Sequence, residues 1–482
     1  MSVSLLVATL FCVIQSSPYF AIQVIDDQTG RGVPLIELRT VNGIRLQTDS
    51  AGWIAFYEPG LMNREVFFYI EGPGYEYPKD GFGFRGIKFV TTPGKSATVR
   101  VKRTNIAERL YRITGQGIYR DSELIGQSVP IKSREALVLG QDSVQMVPYR
   151  GKLFWLWGDT NLANFPLGNF QTTAATTPLP GAEFDPRVTI PLHYFMDEKV
   201  TGRVRKMMPV KEPGPVWLFG LLTIKDEQSE EVLLAHYTRR KSLAEQAEHG
   251  LARFNDKAGI FERVQTLDLK NTWQFPRHNA VRVTDKEGDY YYFAFPFCTT
   301  RVRATWEDVC DPQKYEAFVF DENLGTYTWR RDNEPTTPSD EQRLMKSGKM
   351  IKESARYDLR DASGKPMQLH RASIEWNAYR HKWILIGNEQ GGRESPSPLG
   401  EVWYAEADHV TGPWHKAVKV ASHPKYSFYN PRHHAVLDQE GGRYIYFEGT
   451  YTASFSGNPM PTPRYEYNQL LYRLDLGDER LR

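Results

Sequence analysis

Val402-Trp-Tyr-Ala-Glu-Ala-Asp408-His-Val-Thr-Gly412 reads as an apolar strand that ends in an aspartate, turns at a glycine and restarts as a second strand. The pattern recurs at Leu192 to Asp197 with Gly202, Leu251 to Asp256 with Gly259, Ala317 to Asp321 with Gly325, and Leu470 to Asp475 with Gly477. An aspartate that accepts nearby backbone amides is a turn former, so these aspartates read as structural. Upstream lies a second repeat of strand, polar turn and strand. Its copies are Asp142-Ser-Val-Gln-Met-Val with Leu153 to Gly158, His278-Asn-Ala-Val-Arg-Val with Tyr290 to Phe295, Arg371-Ala-Ser-Ile-Glu-Trp with Lys382 to Gly387, and His434-Ala-Val-Leu with Tyr444 to Phe447. Val216 to Ile224 with Val232 to Tyr237 is a looser copy. Four strands repeated five times predict a five-bladed β-propeller, in which each sheet buries its faces against its neighbours. The fold class is all-β.

At 482 residues the chain can bury two cores, which suits a small sandwich followed by a propeller. With 60 basic against 58 acidic residues, no global field draws it onto nucleic acid or a membrane surface, so its partner must be recognised locally. The apolar run Ser4 to Ile14 followed by Gln15-Ser-Ser is too short to span a bilayer and reads as a secretory signal over residues 1–17, predicting an extracellular or periplasmic protein. Removal of that segment takes Cys12 with it and leaves Cys298 and Cys310, which predicts one disulfide stabilising by roughly 3 kcal/mol. No other apolar run approaches membrane length.

Residues 19–103 alternate as short strands between turn clusters such as Asp27-Gln-Thr-Gly and Asp49-Ser-Ala-Gly, predicting a small antiparallel β-sandwich. Thr29-Gly-Arg-Gly-Val-Pro-Leu-Ile-Glu-Leu and Thr48-Asp-Ser-Ala-Gly-Trp-Ile-Ala-Phe resemble the transthyretin-like regulatory domains of carboxypeptidases and of many secreted bacterial enzymes, a resemblance that implies no chemistry. Residues 104–134 read as a linker and 135–482 as the propeller. Ser242 to His249, with a serine cap and a closing Gly250, predicts a helix. Pro335 to Asp340 and Glu394 to Pro398 read as exposed loops.

In an antiparallel blade the start of the first strand and the end of the second lie at the same face, and the long loops (160–191, 298–315, 390–400 and 450–468) leave that face. Ionisable residues collect at the same positions. First strands open with Asp142, Arg277-His278, His370-Arg371 and Arg432-His433-His434, and second strands close with Asp159, Glu389 and Glu448. Facing carboxylates are what glycosidic cleavage needs, one protonated to serve the leaving oxygen and one ionised to activate water or attack carbon. Asp142 or Asp159 as base with Glu389 or Glu448 as acid is the economical assignment. The basic residues Arg277, His278, Arg371, Arg432, His433 and His434 suit an anionic ligand or serve as internal partners for the acids. Glu375 is a further candidate for lining the channel. No metal pattern is readable, and no cofactor is implied.

Gly140-Gln-Asp142-Ser and Trp155-Leu-Trp-Gly-Asp159-Thr resemble five-bladed glycoside hydrolases, including family 43 and, for the second segment, the family 183 arabinanases. The resemblance spans roughly residues 136–476, and it implies that Asp142 is the general base. Family 43 also takes an aspartate from blade two and an acidic glutamate from blade three. Here blade two offers Glu212 and blade three opens with Arg277-His278, which moves the expected acid to blades four and five. The sequence thus predicts an exported, glycoside hydrolase-like enzyme acting on a polysaccharide or oligosaccharide, anionic if the basic residues face it. Two alternatives stay open: a non-catalytic glycan-binding propeller, and a lyase in which His278 or His433 abstracts a proton beside a uronate while an arginine neutralises its carboxylate.

Overall fold

The computed structural model describes residues 17–131, 136–165, 170–181, 183–242, 245–270, 272–274, 279–391 and 397–482. The proposed signal segment, apart from Ser17, together with Arg277 and His278, lies outside these residues. The fold is all-β and divides into two compact units, one built from residues up to 72, 76–102 and 120–129 and one from residues 73–75, 103–119 and 130–482.

The first unit is a β-sandwich. One sheet places Phe20–Asp26 between Trp53–Phe56 and Ser96–Arg103, and the other runs Arg45–Gln47, Glu37–Thr40, Glu65–Glu71, Gly86–Val90. Alternation in Glu65–Glu71 buries Val66, Phe68 and Ile70. Phe68 meets Phe56 of the opposite sheet edge-to-face at 5.1 Å, which is how the two layers share a core. Phe20–Asp26 pairs parallel with Ser96–Arg103, so the sandwich is mixed rather than purely antiparallel.

Among the described residues the second unit contains five antiparallel sheets of four or five strands, here blades one to five, and a two-stranded sheet that pairs Val138–Gln141 with Thr160–Leu162. Blade one runs Gln145–Tyr149, Lys152–Trp157, Thr173–Pro178, His193–Tyr194. Blade two runs Val216–Lys225, Glu231–Arg240, Gln246–Asn255, Ile260–Thr266. Blade three has a fifth strand, running Ala280–Asp285, Gly288–Ala294, Cys298–Arg303, Glu316–Asp321, Thr326–Arg330. Blade four runs Leu369–Asn377, Lys382–Glu389, Glu401–Ala407, Ala417–Ser422. Blade five joins Ser427–His433, Tyr444–Thr452 and Asn468–Asp475 to Glu108–Arg112, with Leu471 opposite Tyr111. A segment that reads as linker is therefore the outermost strand of the last blade.

Apolar cores between neighbouring sheets close the ring. Trp155 packs with Tyr111, Tyr446 and Leu471 between blades one and five. Phe154 packs with Leu218 and Tyr237 between one and two, Leu234 with Tyr291 and Phe293 between two and three, and Phe318 with Ile374 and Trp403 between three and four. Between four and five, Ser373 Oγ accepts the His433 N–H at 2.8 Å and the Gly442 carbonyl accepts Asn377 Nδ2 at 2.7 Å.

Several local expectations need correction. Gln246–Asn255 is a strand paired on both sides, with Tyr237 opposite Gly250, so tertiary pairing overrides the helical composition of Ser242 to His249. Pro338–Lys346 is a helix started by a capping box between Thr337 and Asp340, so of the loop expected over Pro335 to Asp340 the first three residues stay outside the helix and the last three open it. Cys298 and Cys310 are free thiols rather than a disulfide. Cys298 belongs to the core shared with blade four, whereas Cys310 packs against Leu251 and Leu267 of the blade-two side, so the two lie in different cores. Of the hairpin aspartates, Asp197, Asp321 and Asp475 accept backbone amides two residues on, at 2.8, 2.9 and 2.8 Å. Asp256 instead accepts the Tyr149 hydroxyl at 2.8 Å, and Asp408 takes the Lys382 ammonium at 2.5 Å.

Candidate active site

Asp142 precedes the first strand of blade one and Asp159 follows the second. The Asp142 N–H donates to the Asp159 carbonyl at 3.2 Å and the Gly158 N–H to the Asp142 carbonyl at 2.9 Å, so the hairpin ladder continues past the strand ends and delivers both acids at one face. A Cβ at position 158 would stand 2.4 Å from Asp142 Oδ1, so the glycine leaves the carboxylate its place. Both acids line a pocket of about 910 Å³ whose wall comes from all five blades. Among the described residues, they are the carboxylates that line it.

The environments of the two differ. Asp142 Oδ2 accepts the Tyr467 hydroxyl at 2.6 Å and the Tyr429 hydroxyl at 2.9 Å, both from blade five. Burial raises the Asp142 pKa, and hydrogen bonds from Tyr467, Tyr429 and Ser143 oppose that rise by favouring the anion. Asp159 is pushed up to about 6, first by burial and then by the negative charge of Asp142, with the Trp217 indole N–H, donated to Oδ1 at 2.8 Å, as its counterweight. The pair therefore separates into an acid that ionises first and one that keeps its proton into the mildly acidic range.

Positive charge enters from blades two and four. The Arg240 guanidinium lies over the Trp217 ring at 5.2 Å, and burial pulls its pKa down. Arg371 stacks over Phe295 at 4.1 Å and donates to the His370 carbonyl at 2.8 Å. Trp217, Phe219, Tyr429 and the half-exposed Phe455 add aromatic surface to the same wall.

Of the residues singled out in the sequence, the structure brings Asp142, Asp159, His370 and Arg371 into the pocket. Glu389 does not reach it: Gln390 lines the pocket, and because successive side chains of a strand point to opposite faces, Glu389 turns toward Lys365, Glu401 and Lys419. Glu448 is fully buried, its Oε1 2.7 Å from His434 Nε2. Burial holds that carboxyl well above its usual range and that imidazole well below its own, so the pair is neutral. Arg432 pairs with Glu375 at 3.2 Å, and His433 Nε2 lies 2.9 Å from Asp438 Oδ1. Arg432, His433, His434, Glu375 and Glu448 thus form a buried network rather than a ligand surface. The first strand of blade five presents Tyr429, Asn430 and Pro431 to the pocket, and beyond the bulge between Tyr429 and Arg432 the residues Arg432 and His433 no longer line it.

Tyr429, Tyr467, Trp217 and Arg240 belong to the site although the sequence did not single them out. Trp217 and Arg240 open the first and close the second strand of blade two, so the positional rule applied to aromatic and basic residues of that blade finds them. Tyr467 carries no such signal. Among the described residues no group of three His, Cys, Asp or Glu side chains is placed to hold a metal ion, and no described helix is long and apolar enough to cross a membrane.

No family model matches the sequence, and no curated protein matches it. Solved structures do. A candidate hydrolase from Bacteroides ovatus is 14% identical over 70% of this chain and 86% of its own, with a TM-score of 0.44. An exo-β-1,3-galactanase from Phanerochaete chrysosporium, solved as a point variant with β-1,3-galactotriose, is 10% identical over 76% of this chain and 64% of its own, at a TM-score of 0.37. A family 43 glycoside hydrolase from Xanthomonas citri, complexed with xylotriose, is 12% identical over 70% and 89%, at 0.34.

Proposed function

We propose that the chain hydrolyses a glycan in the pocket between Asp142 and Asp159. The observation that carries this reading is the division of labour between two carboxylates in one cleft: two phenol hydroxyls favour the Asp142 anion, while burial and the charge of Asp142 keep a proton on Asp159 up to about pH 6. Asp159 gives that proton to the glycosidic oxygen as its bond to the anomeric carbon breaks. Asp142 takes a proton from the water that attacks the same carbon, with Oδ1 as the accepting oxygen because the phenols hold Oδ2. The acid role thereby passes from Glu389 and Glu448 to Asp159. Trp217 and Phe455 offer faces to sugar rings, and Arg240 and Arg371 favour a glycan carrying a carboxylate or sulfate near the cleaved bond.

The test is reducing-end release from a panel of neutral and uronate-bearing polysaccharides by the wild type and by Asp142→Asn and Asp159→Asn. Each variant should lose at least about a hundredfold in turnover. Undiminished turnover in either overturns the assignment. Stable binding without product selects a non-catalytic glycan-binding propeller, and ultraviolet absorbance from an unsaturated product selects a lyase.

A further inference from the structure

The strand Leu369–Asn377 has one end in the Asp142 pocket, where His370 and Arg371 line the wall, and the other end at the opposite face of the ring. At that opposite face blades three and four enclose a second groove, of about 730 Å³, with the turn of Ala280–Asp285 and Gly288–Ala294 on one bank and the turn between Trp376 and Trp383 on the other. Its volume falls within the roughly 300–1,000 Å³ of small-molecule sites. Trp376 is 46% exposed and meets Trp383 edge-to-face at 5.6 Å. Trp329 from blade three stands on the facing wall, packed on Phe318 at 4.7 Å. A tryptophan left half in water contributes little to the core behind it, so the open face of Trp376 is aromatic surface that the blade seam does not use, whereas Trp329 and Trp383 pack on the core and shape the groove around it.

The polar frame of the groove narrows the ligand. Arg282 is held by Asp289 at 2.5 Å and Glu287 by Arg301 at 2.7 Å, while Arg356 and Asp285 add one further charge of each sign to the lining, so the frame carries both signs in balance. A groove with balanced charge does not select a polyanion or an anionic lipid surface. Its ligand must present a flat apolar face to indoles and hydroxyls to the rim. A pyranose or furanose ring has both, with axial C–H groups over the aromatic plane and hydroxyls around its edge.

We propose that this groove is a second saccharide-binding site, which holds a length of glycan by stacking on Trp376 and Trp383 at the face opposite the catalytic pocket. The identity of the ligand rests on the proposal that the chain acts on glycans, whereas the location rests on the groove alone. Such a site tethers a long chain near the enzyme without touching the reacting bond, so its loss weakens action on polymer more than on short oligosaccharides.

Affinity gel electrophoresis of the full chain carrying Asp142→Asn, in gels cast with arabinan, xylan, galactan or polygalacturonate, tests this. Retardation by at least one neutral polysaccharide is expected, with an apparent Kd about tenfold weaker or more in Trp376→Ala, and with Trp376→Phe retaining most of the binding. It should persist at high salt, since no ion pair with the ligand is involved. Failure of every neutral polysaccharide to retard the protein overturns the site, as does retardation unchanged by Trp376→Ala or retardation confined to polygalacturonate and abolished by salt. Because Trp376 is half exposed, the variant should melt with the parent; if it does not, quenching of tryptophan emission by the same polysaccharide in Trp376→Phe decides, and its absence overturns the proposal. Hydrolysis by the wild type in the absence of any groove binding would leave the catalytic assignment standing and sink this one alone.

Discussion

Replacing Asp159 by asparagine should stabilise the protein, and only above mildly acidic pH. Burial and the charge of Asp142 raise the Asp159 pKa from the ordinary 3.8 to about 6. A carboxyl whose folded pKa lies above its unfolded one binds its proton more tightly in the folded state. Its contribution is therefore intact below about 3.8, is lost as pH rises to about 6, and stays lost beyond. The gap of about two pH units, at about 1.4 kcal/mol each, sets the full cost at about 3 kcal/mol. Asparagine has the same outline, its Oδ1 can still accept the Trp217 indole N–H, and it never ionises. The advantage of Asp159→Asn over the wild type should grow by about 2 kcal/mol between about pH 4.5 and about pH 8. With about 2.1 cal/mol/K of unfolding entropy per residue over the ~370 residues of the propeller, that corresponds to a rise of about 3 °C in the difference between melting temperatures. Tryptophan fluorescence reports the relevant transition, since every tryptophan but Trp53 lies in the propeller. A difference flat across pH, or a variant less stable than wild type at pH 8, would refute the claim that Asp159 is held protonated by its surroundings.

Gly158→Ala should displace the Asp142 carboxylate, because its Cβ would fall 2.4 Å from Oδ1; we expect glycan turnover to drop at least about tenfold while circular dichroism stays native. Leu110, 1% exposed in the core between blades one and five, closes the ring from the strand Glu108–Arg112. Truncation to alanine should cost about 2–5 kcal/mol in urea unfolding, whereas a linker residue would cost nearly nothing. Reducing agent should leave the melting temperature unchanged, and Cys298 and Cys310 should both alkylate in denatured, unreduced protein; protection of the two would restore the disulfide.

The propeller was legible because its strands must repeat. Lys152–Trp157 and its counterparts are apolar, bounded by turns, and buried on their inner faces, and a hairpin such as Asp321 with Gly325 makes its turn from contacts two to four residues apart. Asp142 and Asp159 were legible for the same reason, since strand ends within one hairpin lie at one face whatever surrounds them. Glu389 misled because a one-residue difference in position reverses the face, so that Gln390 lines the pocket and Glu389 does not. Cys298 and Cys310 misled because proximity in sequence does not decide which core each side chain enters, and here the two enter different ones. The strand Glu108–Arg112 could not be placed, because its partner Asn468–Asp475 lies more than three hundred residues away.

The chain by itself determined what depends on period and on neighbours: an all-β fold, repeated four-stranded units, and two carboxylates at one hairpin mouth. The tertiary structure alone decided what those carboxylates meet, since Tyr429, Tyr467 and Trp217 arrive from other blades through ring closure. It also decided that Glu448 and His434 are buried neutral partners rather than a catalytic acid and its ligand-binding neighbour. The physical reason is that desolvation and charge, which set protonation, depend on every group packed around a site, and most of those groups are far away in sequence.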